Sequence, residues 1–388
     1  MGPLQGVKVV ELAGIGPAPF ACMMLAELGA DVLRIDRPGG GLAFGPPEYE
    51  LVNRGRRSVA LDLKNPAAID VVRRLAAQAD VLVEGFRPGV AERLGVGPED
   101  CHAINPRLVY GRMTGWGQDG PLAQTAGHDI DYLAVSGALH LIGRAGGPPQ
   151  VPANLLGDFA GGSLYLVVGV LAALHEAQRN GRGQVVDAAI VDGSAHLTTM
   201  LLGALAAGNW RQDRGTNLLD TGAPFYDVYE TADGKHVAVG AIEPQFYDEL
   251  IATLGISPPD RNDPANWPEL RKVLTETFLR RTQDEWAQVF DGSDACVAPV
   301  LPLAAEHPHL VARGTFMDHD GIRQAAPAPR FSGTPTSLGR PPARPGQHTR
   351  DALAEWGITD IDELLETGAA VQDREEPPDG TSALRRRS

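Results

Sequence analysis

Cysteine is scarce, with three in 388 residues: Cys22, Cys101 and Cys296. They are scattered and odd in number. No CxxC pair and no cysteine–histidine cluster at metal-ligand spacing accompanies them, so neither a disulfide framework nor a zinc centre is expected. Any run of 18 uninterrupted apolar residues is also missing. The most apolar stretch, 159–175, is broken by Gly161, Gly162, Ser163 and Gly169, which argues against a membrane span. Residues 1–11 lack the basic start and apolar core of a signal peptide, and 384–388 match no addressing ending, so a cytoplasmic location is expected. A basic excess is lacking too. The formal net charge of −15 argues against nucleic acid as a partner, because phosphate backbones need a basic face. No GxxxxGK[ST] loop occurs. Gly14-x-Gly16 lacks the third glycine of a dinucleotide fingerprint and is crowded by Pro17 and Pro19.

What the chain does hold is a composition suited to a large core: 43% hydrophobic and 21% charged residues, with 46 glycines and 31 prolines marking a loop-rich globular protein. Residues 1–112 balance 13 Lys and Arg against 13 Asp and Glu, so the whole negative excess lies beyond them. The first third is therefore the part best able to hold an anion. It alternates apolar strand signals (7–11, 31–36, 58–63, 80–85, 107–112) with helical stretches, notably 66–79 and 87–94. That spacing predicts βαβ units and a parallel, doubly wound α/β sheet. A long helix over 158–179, a strand at 184–190 and a helix at 191–207 follow. Strands at 223–230 and 235–241 joined at Ala232-Asp233-Gly234 read as a hairpin. Helices at 245–254, 267–280 and 283–290 complete a smaller α+β domain.

The expected division is a large Rossmann-like domain over 1–200, a linker at 201–222 and a small α+β domain over 223–315. A C-terminal segment over 316–369 returns to the large domain, and 370–388 form a disordered tail. The region beyond about 300 is Pro-rich and irregular, with short helices at 351–356 and 361–367.

Three local patterns could carry chemistry. Gly127-His128-Asp129-Ile130-Asp131-Tyr132 opens a probable helix, where the positive end of the dipole favours a neutral imidazole able to accept a proton. Alone, one histidine beside aspartates suits a structural role at least as well. In Asn154-Leu155-Leu156-Gly157-Asp158 a carboxylate sits at a loop-to-helix junction, a position an ordinary N-capping aspartate would also occupy. Glu243, between a strand and a helix, is likewise a common capping position. Arginines near Asp36-Arg37-Pro38 and in Asn53-Arg54-Gly55-Arg56-Arg57 suit bidentate phosphate recognition, and a solvated basic loop is an equal alternative.

Longer strings add a resemblance: VVELAGIGP at 9–17, RIDRPG at 34–39, RSVALDLK at 57–64, NPRLVYGRMTGWGQDGP at 105–121, AGHDI at 126–130, GKHVAVGAIEPQFY at 234–247 and DGSDACVAPVL at 291–301. Together they resemble the alpha-methylacyl-CoA racemases of the class III CoA-transferase (CaiB/BaiF) superfamily, over roughly residues 4–316. The resemblance implies a Rossmann-like large domain, a small domain and an interlocked homodimer. It implies His128 and Asp158 as the acid–base pair, Glu243 as support for the histidine from the partner chain, and Asn154 beside the aspartate. CoA-binding positions carry over to Arg37, Leu61, Asp62, Leu63, Lys64, Arg87, Arg93, Gly127, Asp129, Ile130, Asp131 and Tyr132. The family commonly has asparagine where this chain has Asp131.

The expected reaction is proton transfer at the carbon next to the thioester carbonyl of a 2-methylacyl-CoA, with neutral His128 on one face of an enolate and protonated Asp158 on the other. Ordinary pKa values of about 6.5 for histidine and 3.9 for aspartate are mismatched, so burial is expected to raise that of Asp158. CoA is part of the substrate, and no metal or further cofactor is expected. The main alternative is a class III CoA-transferase in which Asp158 is the nucleophile. A non-catalytic CoA-thioester carrier is the other.

Overall fold

The computed structural model describes residues 2–373. Its main sheet is built from six parallel strands: β1 (Lys8–Leu12), β2 (Asp31–Asp36), β3 (Arg57–Leu61), β4 (Val81–Glu84), β5 (Val109–Thr114) and β6 (Val185–Ala189). Their order is β3-β2-β1-β4-β5-β6, and a short seventh strand, Ala370–Val371, pairs antiparallel with β3 at one edge. β1 to β5 are buried almost throughout, as expected for strands covered by helices on both faces. The order reverses at β1, which pairs with both β2 and β4. In open sheets of this kind, ligands bind beyond the carboxyl ends of the strands at such a reversal.

Two hydrophobic clusters flank the sheet. One joins Val10, Leu33, Leu61 and Leu75 to Trp356 and Leu364 from the C-terminal segment. The other joins Val9, Cys22, Val83 and Met113 to Leu166 and Val170. The C-terminal segment returns to this sheet, with the helix Thr349–Glu355 packed on β3. The sheet also buries ion pairs: Glu11 of β1 with Arg56 just before β3, Arg34 with Asp36 within β2, and Glu84 of β4 with Arg112 of β5.

The described chain divides into two compact units, 2–132 with 154–196 and 308–373, and 133–153 with 197–307. Residues 133–153, read above as part of the large domain, cluster with the second unit. Arg144 pairs there with Asp227, and Arg214 donates to the Gly147 carbonyl. Residues 308–315 go the other way, into the first unit. The second unit holds a three-stranded antiparallel sheet, β7 (Tyr226–Glu230), β8 (His236–Gly240) and β9 (Val297–Pro299). Its own aromatic core includes Phe225, Tyr229, Phe278 and Trp286.

Several expectations need correction. The region after 300 is not wholly irregular, because Phe316–His319 and Ile322–Ala325 form a hairpin. Ala370 and Val371 belong to a strand rather than a disordered tail, and the rest of that tail, from 374, lies outside the described residues. The helix over 191–207 is two helices, Ile190–Leu197 and Thr199–Ala206, interrupted at Thr198. The long helix begins earlier than expected, with π-helical turns over Leu155–Ser163 leading into Leu164–Asn180. This continuous run of 26 residues, Leu155–Asn180, has the length and composition of a membrane span. Leu166, Val167, Val170, Ala173 and Ala177 on its inner face are buried, four of them in the second cluster against the sheet.

Candidate active site

The loop after β1 sets the first wall of the site. Gly16 adopts a left-handed backbone, φ +69°, and Pro17 then starts the helix Pro17–Glu27. A side chain on Gly16 would meet Asp158 Oδ2 at 3.2 Å, so glycine lets this loop lie against the carboxylate. Phe20 of the same helix stacks on Phe159, with ring centroids 4.5 Å apart.

The loop after β5 sets the second wall. The ring of Tyr132 lies across Gly115 and Gly127, where added β-carbons would come within 2.0 and 2.7 Å of ring atoms. Its edge meets Trp116 at 4.8 Å, and its hydroxyl donates to the Gly127 carbonyl. Tyr132 is thus buried scaffolding, and burial pushes its hydroxyl up to about 12. The next helix, Asp129–Ser136, starts at His128, whose N–H donates to Asp131 Oδ2 at 2.9 Å. Asp131 therefore spends its carboxylate on the backbone of the histidine, a bond that an asparagine oxygen could make equally. His128 itself is exposed, with its side chain free to reach a substrate, and so is Ile130.

Asp158 lies inside the π-helical turns and does not cap a helix, contrary to the capping alternative. Such widened turns are frequent at functional sites. Here small residues permit them: Gly193, on the following helix, approaches the Gly161 carbonyl so closely that a β-carbon would sit 1.8 Å from that oxygen. Asn154 Nδ2 lies 3.4 Å from Asp158 Oδ2, and the Asp158 N–H donates to Asp129 Oδ1 at 2.7 Å. The Asp158 carboxyl is pushed up to about 6, chiefly by burial. The Asp129 charge adds to the rise, while Asn154 and a cationic His128 oppose it. Asp129, expected at the CoA site, thus has its own carboxylate turned to the backbone of Asp158.

Arg37 follows β2, Asp62 to Lys64 follow β3, and Arg87 follows β4, with Arg93 on the short helix Val90–Leu94. All stand beyond the carboxyl ends of the strands, and Arg37, Arg87, Arg93 and Lys64 are exposed. Leu61 is fully buried in the core, so only its backbone faces outward chemistry. Asp62 Oδ1 accepts the Lys64 N–H, and Leu63 packs against the core.

The arginine string 53–57 turns out to be neither a phosphate loop nor a solvated one. Arg54 pairs with Glu27, Arg56 with Glu11, and Arg57 with Asp31 and Glu355, all with buried guanidinium groups. Their partners are distant in sequence, which is why the string alone gave no sign of them. Glu243 belongs to the second unit, at the start of the helix Pro244–Leu254. It is exposed and its side chain makes no capping hydrogen bond. Among the described residues no group of three His, Cys, Asp or Glu side chains is placed to hold a metal ion.

Sequence reasoning missed Gly16, weighing it only as part of an incomplete dinucleotide fingerprint. A glycine next to a helix-starting proline after the first strand of a doubly wound sheet was the available signal.

The profile of CoA-transferase family III matches residues 4–349. The chain belongs to CoA-transferase family III. Within the curated relatives it is 47% identical to the alpha-methylacyl-CoA racemase of Mus musculus over 371 residues, 94% of this chain and 95% of the mouse protein. It is 46% identical to the Homo sapiens alpha-methylacyl-CoA racemase, over 92% of this chain and 94% of the human one. Among solved structures, a CaiB/BaiF family protein from Brucella suis superposes with a TM-score of 0.79 at 29% identity, covering 92% of this chain and 99% of that one. The mixed α/β fold with a mainly parallel seven-stranded sheet agrees with that family membership.

Proposed function

We propose that this protein is an alpha-methylacyl-CoA racemase that interconverts (2R)- and (2S)-2-methylacyl-CoA thioesters. The observation that carries the chemistry is the Asp158 carboxyl, held at about 6 beside His128. A carboxyl raised in this way by burial can hold its proton near neutral pH and release it as an acid, and once ionised it can take one back as a base. The near full-length identity to two racemases supports the substrate class.

In the proposed reaction, neutral His128 removes the α-proton from one face and becomes cationic, while the C–H electron pair moves into an enolate. Protonated Asp158 then gives its proton to the opposite face and becomes the carboxylate. The resulting pair, cationic His128 and anionic Asp158, is the starting state for the other epimer, so each residue is base in one direction and acid in the other. The thioester carbonyl acidifies the α-proton, and the backbone N–H of Asp129 at the helix start suits the enolate oxygen, the His128 N–H being taken by Asp131. The chemistry therefore calls for no electron-accepting or metal cofactor. Arg37, Arg87, Arg93 and Lys64 would grip the nucleotide end, and that remote binding would place the reacting carbon. In a homodimer, Glu243 of the partner subunit would stabilise the cationic form of His128.

The test is incubation of (2S)-2-methylacyl-CoA in deuterated water, read by NMR and chiral analysis. Deuterium at the α-carbon with loss of optical purity is expected, abolished or made one-sided in His128→Ala and Asp158→Ala. Transfer of CoA to an added carboxylate through a hydroxylamine-trappable acyl group on Asp158, without α-exchange, would make the protein a transferase instead.

A further inference from the structure

Asp129 accepts the backbone N–H of Asp158 at 2.7 Å, and its residue is more than nine-tenths buried. Its Oδ2 is buried as well and takes no direct hydrogen bond. A carboxylate so placed has two separable effects. The hydrogen bond ties the histidine loop to the π-helical turn that carries Asp158, fixing where the second carboxyl stands. The charge acts through a short, poorly solvated path on that carboxyl.

We infer that Asp129 is a positioning residue whose negative charge keeps Asp158 protonated, so that Asp158 can serve as an acid opposite His128. The inference rests on the racemase reading for its catalytic meaning, though not for its electrostatics. The other groups facing Asp158 do not take this part. His128, when cationic, pulls in the opposite direction, and Asn154 donates to the carboxylate and so also favours the charged form. Tyr132 is neutral, being pushed up to about 12. From the loop before the helix Pro17–Glu27, uncharged Gly16 approaches. Asp131 is engaged with the His128 amide. Among the described residues, Asp129 is thus the charge that adds to burial in opposing ionisation of Asp158. Burial raises the pKa of Asp129 itself, but the amides of Asp158 and Gly157 favour its charged form.

The consequence is directional. Where Asp158 acts as acid, activity falls as pH rises past its pKa. Where Asp158 acts as base, activity falls as pH drops below it. Removing the Asp129 charge lowers that pKa, so the alkaline limb for one epimer and the acid limb for the other must both move to lower pH.

The experiment uses Asp129→Asn in the full-length chain, because asparagine keeps an oxygen to accept the Asp158 N–H. Deuterium wash-in rates against pH are measured from each epimer, in parallel with carboxyl-carbon NMR titration of aspartate-labelled protein. The Asp158 signal is identified by its loss in Asp158→Asn. A downward move of both limbs, and of the Asp158 titration midpoint, by half a pH unit or more is expected. Asp129→Ala, lacking the acceptor as well, should show the same move with a further drop in kcat. Unmoved limbs and midpoint in a folded Asp129→Asn protein would overturn the inference while leaving the racemase reading intact. Absence of exchange by the unsubstituted protein would instead defeat that reading, and the NMR midpoints would still decide the role of Asp129.

Discussion

At the scale of single residues, the site depends on a side chain that is not there. Gly16 combines a left-handed backbone with a β-carbon position 3.2 Å from Asp158 Oδ2. Alanine would therefore be strained and would press on the carboxylate. Gly14, two residues earlier, has open space around it. Gly16→Ala is expected to lower kcat about tenfold or more in both directions, while Gly14→Ala stays close to the unsubstituted protein. Initial rates of both variants with each epimer check this, and equal losses would show that the loop matters only through its flexibility. The buried pair Glu11–Arg56 shows the reverse case, two charges whose value lies in each other. Burial raises the Glu11 pKa against the pull of Arg56. Arg56→Met leaves the carboxyl without its partner and should cost about 3–5 kcal/mol near neutral pH. Because a protonated Glu11 relieves that cost, the loss should shrink as pH falls, which urea titrations at pH 5 and 8 would reveal.

At the scale of elements, the two residues proposed as acid and base are delivered by two departures from regular helix. The first is the start of Asp129–Ser136, where Asp131 holds the His128 amide and Asp129 reaches away to the Asp158 amide. The second is the π-helical stretch over Leu155–Ser163, which an ordinary α-helix could not replace without rotating Asp158 off Gly16. Neither departure has a periodicity signal. Each is sustained by glycines at points of close approach: Gly115 and Gly127 beneath the Tyr132 ring, and Gly161 against Gly193.

At the scale of the whole molecule, the decisive question is which chain supplies Glu243. It sits in the second compact unit, exposed and without a capping role, whereas His128 and Asp158 belong to the first. If two chains share each site as proposed, co-expression of His128→Ala with Glu243→Gln creates a mixed dimer with one complete site. Recovery of up to half the normal activity per mixed dimer is the expected outcome, measured on material carrying two different affinity tags. Mixed dimers no more active than their parents would place Glu243 on its own chain or outside the site.

The sequence by itself determined the doubly wound architecture, its six parallel strands, the hairpin of the second unit and most helices, because apolar runs alternating with amphipathic stretches are local properties. Strings such as AGHDI and AIEPQFY likewise singled out His128 and Glu243, and the resemblance they carry pointed to Asp158. Tertiary structure decided the rest. It showed that Arg54, Arg56 and Arg57 are consumed by acids up to about 300 residues away, that 133–153 cluster with the second unit, and that the long helix opens with π turns. It also made Asp129 a hydrogen-bond partner of the Asp158 amide, which no local spacing foretold. These features depend on which distant groups meet and how much water they lose on meeting. Local spacing records neither, and burial and pairing are what set the charge state of an acid.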